Sequence, residues 1–209
     1  MRIGVDLGGT KIEITALGDG GEQLLRERQP APQGSYDATM RAICKMVENA
    51  ETRLGKQGAV GVGIPGAISP ETGLVKNANS TWLIGHPFDK DLGDALHRTV
   101  RVANDANCFV LSEVTDGAGT DHDVVFGIIA GTGCGGAIAV GGRVLTGAHA
   151  IAGEWGHNPL PGRATTNCPD RPATAASMVA SKRGAAAPGW LPTSSGTAAV
   201  HLMRLRLPR

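Results

Sequence analysis

The chain has 209 residues, 31 glycines, 3% aromatics and a formal net charge of +1, enough length for one or two small domains with an aliphatic, turn-rich core. The charge is unevenly divided: residues 1–162 carry 13 Lys and Arg against 18 Asp and Glu, whereas residues 163–209 carry seven basic residues and the single acid Asp170. Those basic residues are scattered, with Trp190 as their one aromatic, which argues against a nucleic-acid or lipid-binding arm.

The opening "MRIGVDLGG" lacks the apolar run of a signal peptide, so a cytoplasmic location is expected. "RIGVDLG" and "KIEITALG" read as two strands of a hairpin, and "EQLLRERQ" as a third strand. The turn between the first two, Asp6 to Lys11 in "DLGGTK", sets two glycines, a hydroxyl and a cation beside an acid. Such a turn can bring Gly8, Gly9, Thr10 and Lys11 against phosphate oxygens, with Asp6 toward Mg²⁺. An ordinary hairpin turn fits the same residues, and the spacing is not that of a Walker A loop.

From Ser35 to Leu54 the apolar residues Met40, Ile43, Val47, Ala50 and Leu54 recur at steps of three and four, one face of an amphipathic helix. "AVGVGIPG" is a buried strand ending in a Pro-Gly turn, and "NANSTW" follows with the amides Asn77 and Asn79, suited to sugar hydroxyls but unspecific alone. Asp89 to His97 reads as a helix, "TVRVAN" as a strand and "DANCFVLSEV" as a helix with Asp105 in its first turn. In "NDAN" that carboxylate can act as general base toward a substrate hydroxyl in phosphoryl transfer or simply cap the helix.

Val124 to Gly142 is uncharged and almost long enough to cross a bilayer, yet its seven glycines make strand–turn–strand the better reading. No membrane partner is expected. A further strand follows Gly142. The turn "AGTGCGG", with Gly131, Thr132, Gly133, Gly135 and Gly136, is either a second phosphate loop or a bulged hairpin. "GEWGH" sets Glu154 and His157 three apart, for sugar hydroxyls or, at His157, a metal. The four cysteines, Cys44, Cys108, Cys134 and Cys168, lie far apart and read as reduced thiols. Strands and helices in this order indicate an α/β protein with mixed sheets.

Taken together, "MRIGVDLGGTKIEITALGDGGEQL", "GVGIPGAISPETGLVKNANSTWL", "ANDANCFVLSE", "GTGCGG" and "AGEWGHNPLP" resemble the ROK family of sugar kinases, and within it the fructokinase and manno(fructo)kinase members. The resemblance runs from Met1 to about Pro161. It implies an actin-like ATPase (ribonuclease H-like) fold, with residues 1–115 as one α/β domain and 116–162 as the start of an incomplete second. It implies a hexose and ATP as ligands, and often a homodimer. Asp105 would be the base, Asn79, Asn104, Glu154 and His157 would lie near the sugar, and Asp6, Gly8, Gly9, Thr10 and Lys11 would serve phosphates and Mg²⁺. Gly131 to Gly136 would form the second phosphate loop. The family's repressors carry a helix-turn-helix ahead of the first turn; here that turn begins at residue 6, so no nucleic-acid partner is expected.

After Gly-His the resemblance calls for Cys-x-Cys-Gly-x-x-Gly-Cys-x-Glu, whose cysteines join His157 around zinc and whose glutamate holds the sugar. Cys168 is the only cysteine beyond that point. Taking the last base of each codon with the first two of the next, the run from Pro172 to Gly184 permits this motif. Its cysteines fall in register with Ala173, Ala175 and Ala180, its glutamate with Lys182. A frame change between Gly162 and Cys168 is therefore expected, leaving 163–209 as an out-of-frame, disordered tail without zinc. An impaired kinase and an inactive, sugar-binding fragment both fit such a chain.

Overall fold

In the computed structural model, which describes residues 1–130, 134–156 and 203–204, the predicted first hairpin and third strand form a meander. Strand β1 (Arg2–Leu7) pairs antiparallel with β2 (Lys11–Leu17), and β2 with β3 (Gln23–Pro30). Helix α1 (Tyr36–Leu54) follows, then β4 (Ala59–Ile64), which lies parallel to β1. A short ribbon of β5 (Ala67–Ile68) and β6 (Val75–Lys76), a 3-10 turn at Thr81–Leu83 and helix α2 (Phe88–Leu96) lead to β7 (Val100–Asn104), parallel to β4. The sheet order is β3-β2-β1-β4-β7, a mixed sheet as the sequence predicts.

Alternation along the strands makes one face apolar. Ile3, Val5, Leu7, Ile12, Ile14, Val60, Val62 and Ile64 are buried with Ile43, Met46, Val47 and Ala50 of α1 and Phe88 and Leu92 of α2. Helix α1 is fixed at both ends: the Ser35 hydroxyl accepts the Ala38 N–H at its start, and Gly55, at φ 63°, closes its end. A bidentate ion pair ties its last turns to the segment between α2 and β7: Arg98 bonds both carboxylate oxygens of Glu51 at 2.5 and 2.8 Å and the Gly58 carbonyl at 3.0 Å.

Helix α3 (Asp105–Asp116) continues from β7, and the meander β8 (Val124–Ala130), β9 (Cys134–Val140), β10 (Arg143–Val144) follows. The chain divides into two units, Met1–Cys108 with Ala148–Ala150, and Phe109–Gly147 with Ile151–Arg209. The boundary therefore falls inside α3 rather than at the expected residue 115. The reason is local. A Cβ on Gly63 of β4 would lie 3.8 Å from the Asp105 Cα and 3.6 Å from the Cys108 Sγ, so the first turn of α3 sits on the first sheet. One turn later Val110 packs onto Gly127 of β8, leaving no room for a side chain there.

In the second unit Trp155 donates its indole N–H to the Gly135 carbonyl at 3.0 Å. Of the expected tail, Met203–Arg204 forms β11, a strand paired antiparallel with Val125 and Phe126 of β8, which departs from disorder at those two residues. Among the described residues no helix is long and apolar enough to cross a membrane.

Candidate active site

Three parallel strands end side by side. Asp6 of β1 pairs with Gly63 of β4, and Ile64 of β4 with Asn104 of β7, so the carboxyl ends of the strands bring Asp6, Asn104 and Asp105 to one sheet edge. In open α/β sheets this is the edge where ligands bind. The two readings of "NDAN" now separate. Asn104 is the residue that caps α3: its Oδ1 accepts the Asn107 N–H at 3.1 Å, while its Nδ2 donates to the Gly66 carbonyl at 3.2 Å. Asp105, one residue later, accepts the Ala106 N–H at 2.8 Å and is not the cap.

Both carboxylates of this edge are held above their ordinary range. Burial raises the Asp105 carboxyl above its ordinary range, against hydrogen bonds from backbone N–H groups and Asn104 that lower it. Asp6 reaches solvent, yet crowding by surrounding protein raises it too, followed by the negative charges of Asp105 and Glu13; Arg28 opposes them. The Cys108 thiol is raised by the same surroundings, then by Asp105 and Asp6. Sequence reasoning missed Glu13 and Arg28. They stand in one cross-strand row with Asp6, since Asp6 pairs with Glu13 and Glu13 with Arg28. Glu13 is gripped by Arg26 and Arg28. Strand alternation was the available signal.

The glycine turn is a closed hairpin tip: the Gly8 N–H donates to the Lys11 carbonyl at 2.9 Å, and the Ala31 N–H to the Thr10 carbonyl at 3.0 Å. A Cβ on Gly8 would press on the Lys11 carbonyl at 3.1 Å, whereas one on Gly9 would meet open space. The tip thus combines a tight backbone at Gly8 with an open side at Gly9. No three His, Cys, Asp or Glu side chains among the described residues could jointly hold a metal. Asp6 instead offers one carboxylate of the kind Mg²⁺ takes together with substrate phosphates and water.

Asn79 reaches the same edge through the Pro-Gly turn after β4. Its N–H donates to the Pro65 carbonyl at 3.0 Å. A Cβ on Gly66 would lie 2.8 Å from the Lys76 carbonyl oxygen and 2.9 Å from the Ala78 Cα, so only glycine admits the Asn77–Asn79 segment. Asn77 itself stands in the left-handed region, φ 54°, which asparagine tolerates.

The second glycine cluster is positioned differently from the expectation of a loop. Gly135 and Gly136 lie within strand β9. A Cβ on Gly136 would come 2.6 Å from the Trp155 Cδ1 and 2.9 Å from the Gly153 carbonyl oxygen, so indole packing accounts for that glycine. Glu154 is half-buried and its N–H donates to the Ile151 carbonyl. Gly131, Thr132, Gly133 and His157 lie outside the described residues, as does Cys168.

The ROK family profile matches residues 2–185, most of the chain. The chain belongs to the ROK family. The match continues past Pro161, where the resemblance was expected to stop. An N-acetyl-D-glucosamine kinase of Escherichia coli is 44% identical over 166 residues, 79% of this chain and 55% of that protein, so the chain spans about half the length of its curated relatives. The fold is that of ROK proteins of known structure, actin-like and partly spanned. A ROK hexokinase from Thermus thermophilus is 33% identical with a TM-score of 0.65, covering 76% of this chain and 53% of that one. A ROK glucokinase from Streptomyces griseus, solved with glucose and AMPPNP, is 31% identical with a TM-score of 0.67, covering 75% and 50%. The curated relatives at 43–44% identity include N-acetyl-D-glucosamine kinases from several Escherichia coli strains, where fructokinases were expected. The motifs that led to fructokinase were read as contacts common to all hexoses, and such contacts do not separate one hexose from another.

Proposed function

We propose that the full-length ROK protein transfers the γ-phosphoryl group of ATP to the 6-hydroxyl of a hexose, with N-acetyl-D-glucosamine ahead of fructose as substrate. The observation that carries the reading is the division of labour at "NDAN": Asn104 caps the helix, which leaves the Asp105 carboxylate, raised by burial, for chemistry. A base whose pKa moves toward the working pH holds an incoming proton better. Asp105 takes the hydroxyl proton as the phosphoryl group arrives. The Gly8–Lys11 tip and the Lys11 ammonium hold phosphate oxygens, and Asn79 and Asn104 orient the sugar. Asp6 would hold Mg²⁺, which supplies charge neutralisation on the phosphates when bound. The 44% identity to N-acetyl-D-glucosamine kinases supports the 2-acetamido hexose over fructose.

The zinc site and Gly131–Gly133 enter the proposal only for the full-length form, with the reading frame changed between Gly162 and Cys168. The 209-residue chain itself should turn over near background. Sequencing the coding DNA across residues 160–185 tests the frame. A coupled assay of the frame-restored enzyme with N-acetyl-D-glucosamine, glucose, mannose and fructose tests the substrate: a preference for fructose refutes the 2-acetamido assignment. In that enzyme Asp105→Asn should lower kcat by about 10²–10⁴-fold; a variant keeping more than half of the parent rate removes Asp105 from the role of base.

A further inference from the structure

Thr39 is fully buried on α1, a helix whose inward face is otherwise apolar. A hydroxyl in such a place is costly unless bonded, and this one is bonded on every side. Its Oγ1 accepts the indole N–H of Trp82 at 3.0 Å, and its proton lies within reach of the Ser35 carbonyl at 2.8 Å and the Pro32 carbonyl at 3.1 Å. The two sides lead to different parts of the candidate site. Pro32 and Ser35 belong to the segment after β3, which supports the glycine tip: the Ala31 N–H bonds Thr10, and the Gln33 side chain bonds the Gly9 carbonyl at 3.4 Å. Trp82 stands in the 3-10 turn directly after Asn79 and Ser80, with Leu83 buried beneath it. The far end of the same loop is pinned to α1 as well. Tyr36 stacks on His86 at 3.8 Å between ring centroids and donates to Asp91 at 2.6 Å.

We propose that Thr39 is a positioning residue that couples the glycine tip to the Asn77–Asn79 loop, so that a nucleotide on one and a hexose on the other order each other. The coupling rests on the function proposed above for those two segments. It is reciprocal, because each ligand shifts the affinity of the other by the same factor. Valine has the shape of threonine without the hydroxyl and keeps its preference for one helical rotamer, so Thr39→Val removes the bridge with the packing intact. Thr39→Ser keeps the hydroxyl.

Amide hydrogen exchange on the 209-residue chain tests this. Thr39→Val should speed exchange about tenfold at Ala31 and at Leu83–His86 together, a loss of local protection, with β1, β4 and β7 unchanged, and Thr39→Ser should restore the parent pattern. In the parent, saturating ATP should protect the Asn79–His86 amides and saturating N-acetyl-D-glucosamine should protect Ala31. Thr39→Val should abolish this cross-protection while each ligand still protects its own segment. Acceleration on one side only, acceleration spread over the whole sheet, no acceleration, or equal behaviour of the serine variant overturns the bridge. So does protection of each segment by its own ligand without cross-protection in the parent. If neither ligand protects anything in the parent, the assigned function fails for this chain, and the variant comparison alone decides whether Thr39 joins the two loops.

Discussion

Asn104→Ala removes two bonds at once from the edge of the sheet. The first is the cap of α3, Oδ1 to the Asn107 N–H at 3.1 Å, whose loss costs about 1 kcal/mol. The second is Nδ2 to the Gly66 carbonyl at 3.2 Å, a part-buried bond worth about 1 kcal/mol that leaves an acceptor unpaired. The sum is about 2 kcal/mol. Each kcal/mol moves the melting point of a domain near 100 residues by roughly 4–8 °C, so the drop should be on the order of 10 °C. Thermal unfolding of the 209-residue chain by circular dichroism at pH 7 measures it. Asn104→Asp serves as the partial case: it keeps an acceptor for the cap, loses the donor to Gly66 and adds a charge beside Asp105. Asp105→Ala should do less harm than Asn104→Ala, since Asp105 is not the cap. A melting point within about 2 °C of the parent for Asn104→Ala, or a larger loss for Asp105→Ala, would show that the helix is capped elsewhere and would undo the argument that frees Asp105 for catalysis.

Two further perturbations test how the site is held. Arg98 holds the Glu51 carboxyl below its ordinary range, so the pair's contribution is present above the unfolded carboxyl pKa near 4.3 and is lost as pH falls through the folded value. Glu51→Gln should cost about 2–3 kcal/mol at pH 7, because it strands a mostly buried Arg98, and should flatten the acid limb in urea melts; an unchanged acid limb places the pH dependence elsewhere. Gly66→Ala should cost about 1–3 kcal/mol through its clash with the backbone of Lys76 and Ala78, and should weaken hexose binding more than nucleotide binding. Equal loss of both ligands would show that the Asn77–Asn79 segment has no separate role.

The strands, the three helices and their order were legible because period-2 and period-3.6 burial rests on side-chain hydrophobicity alone, and Ile43, Val47 and Ala50 face inward as their spacing predicts. The same pattern could not show Thr39 on that face, since a buried hydroxyl depends on a partner 43 residues away in Trp82. The short ribbon of Ala67–Ile68 with Val75–Lys76 was invisible for a related reason: two-residue strands carry no period. Asp6, Asn104 and Asp105 could be named from motifs, but which asparagine or aspartate caps the helix depends on where the backbone turns helical, and both residue types are good caps. The glycines of β9 illustrate the opposite limit. Composition alone cannot tell a glycine that faces a phosphate from Gly136, which an indole covers.

Asp6, the glycine tip, Asn79, Asn104 and Asp105 all belong to the unit Met1–Cys108, and that separates the question of this site from the question of the remaining length. The polar residues lie on the carboxyl ends of three parallel strands because β1, β4 and β7 run the same way, and the apolar face of those strands is covered by α1 and α2 of the same unit. The preorganisation of Asn104 by Gly66, and of Asn79 by Pro65, therefore depends on contacts this chain contains, whereas Glu154 belongs to the other unit and His157 lies outside the described residues. Catalysis demands interactions stronger in the transition state than in the ground state, and under the roles proposed for Asp105, Asn79, Asn104 and the Gly8–Lys11 tip this sheet edge would supply only part of them. Ligand binding at the Met1–Cys108 edge and turnover by the full-length enzyme are accordingly independent measurements, and the first can succeed in the 209-residue chain while the second stays near background.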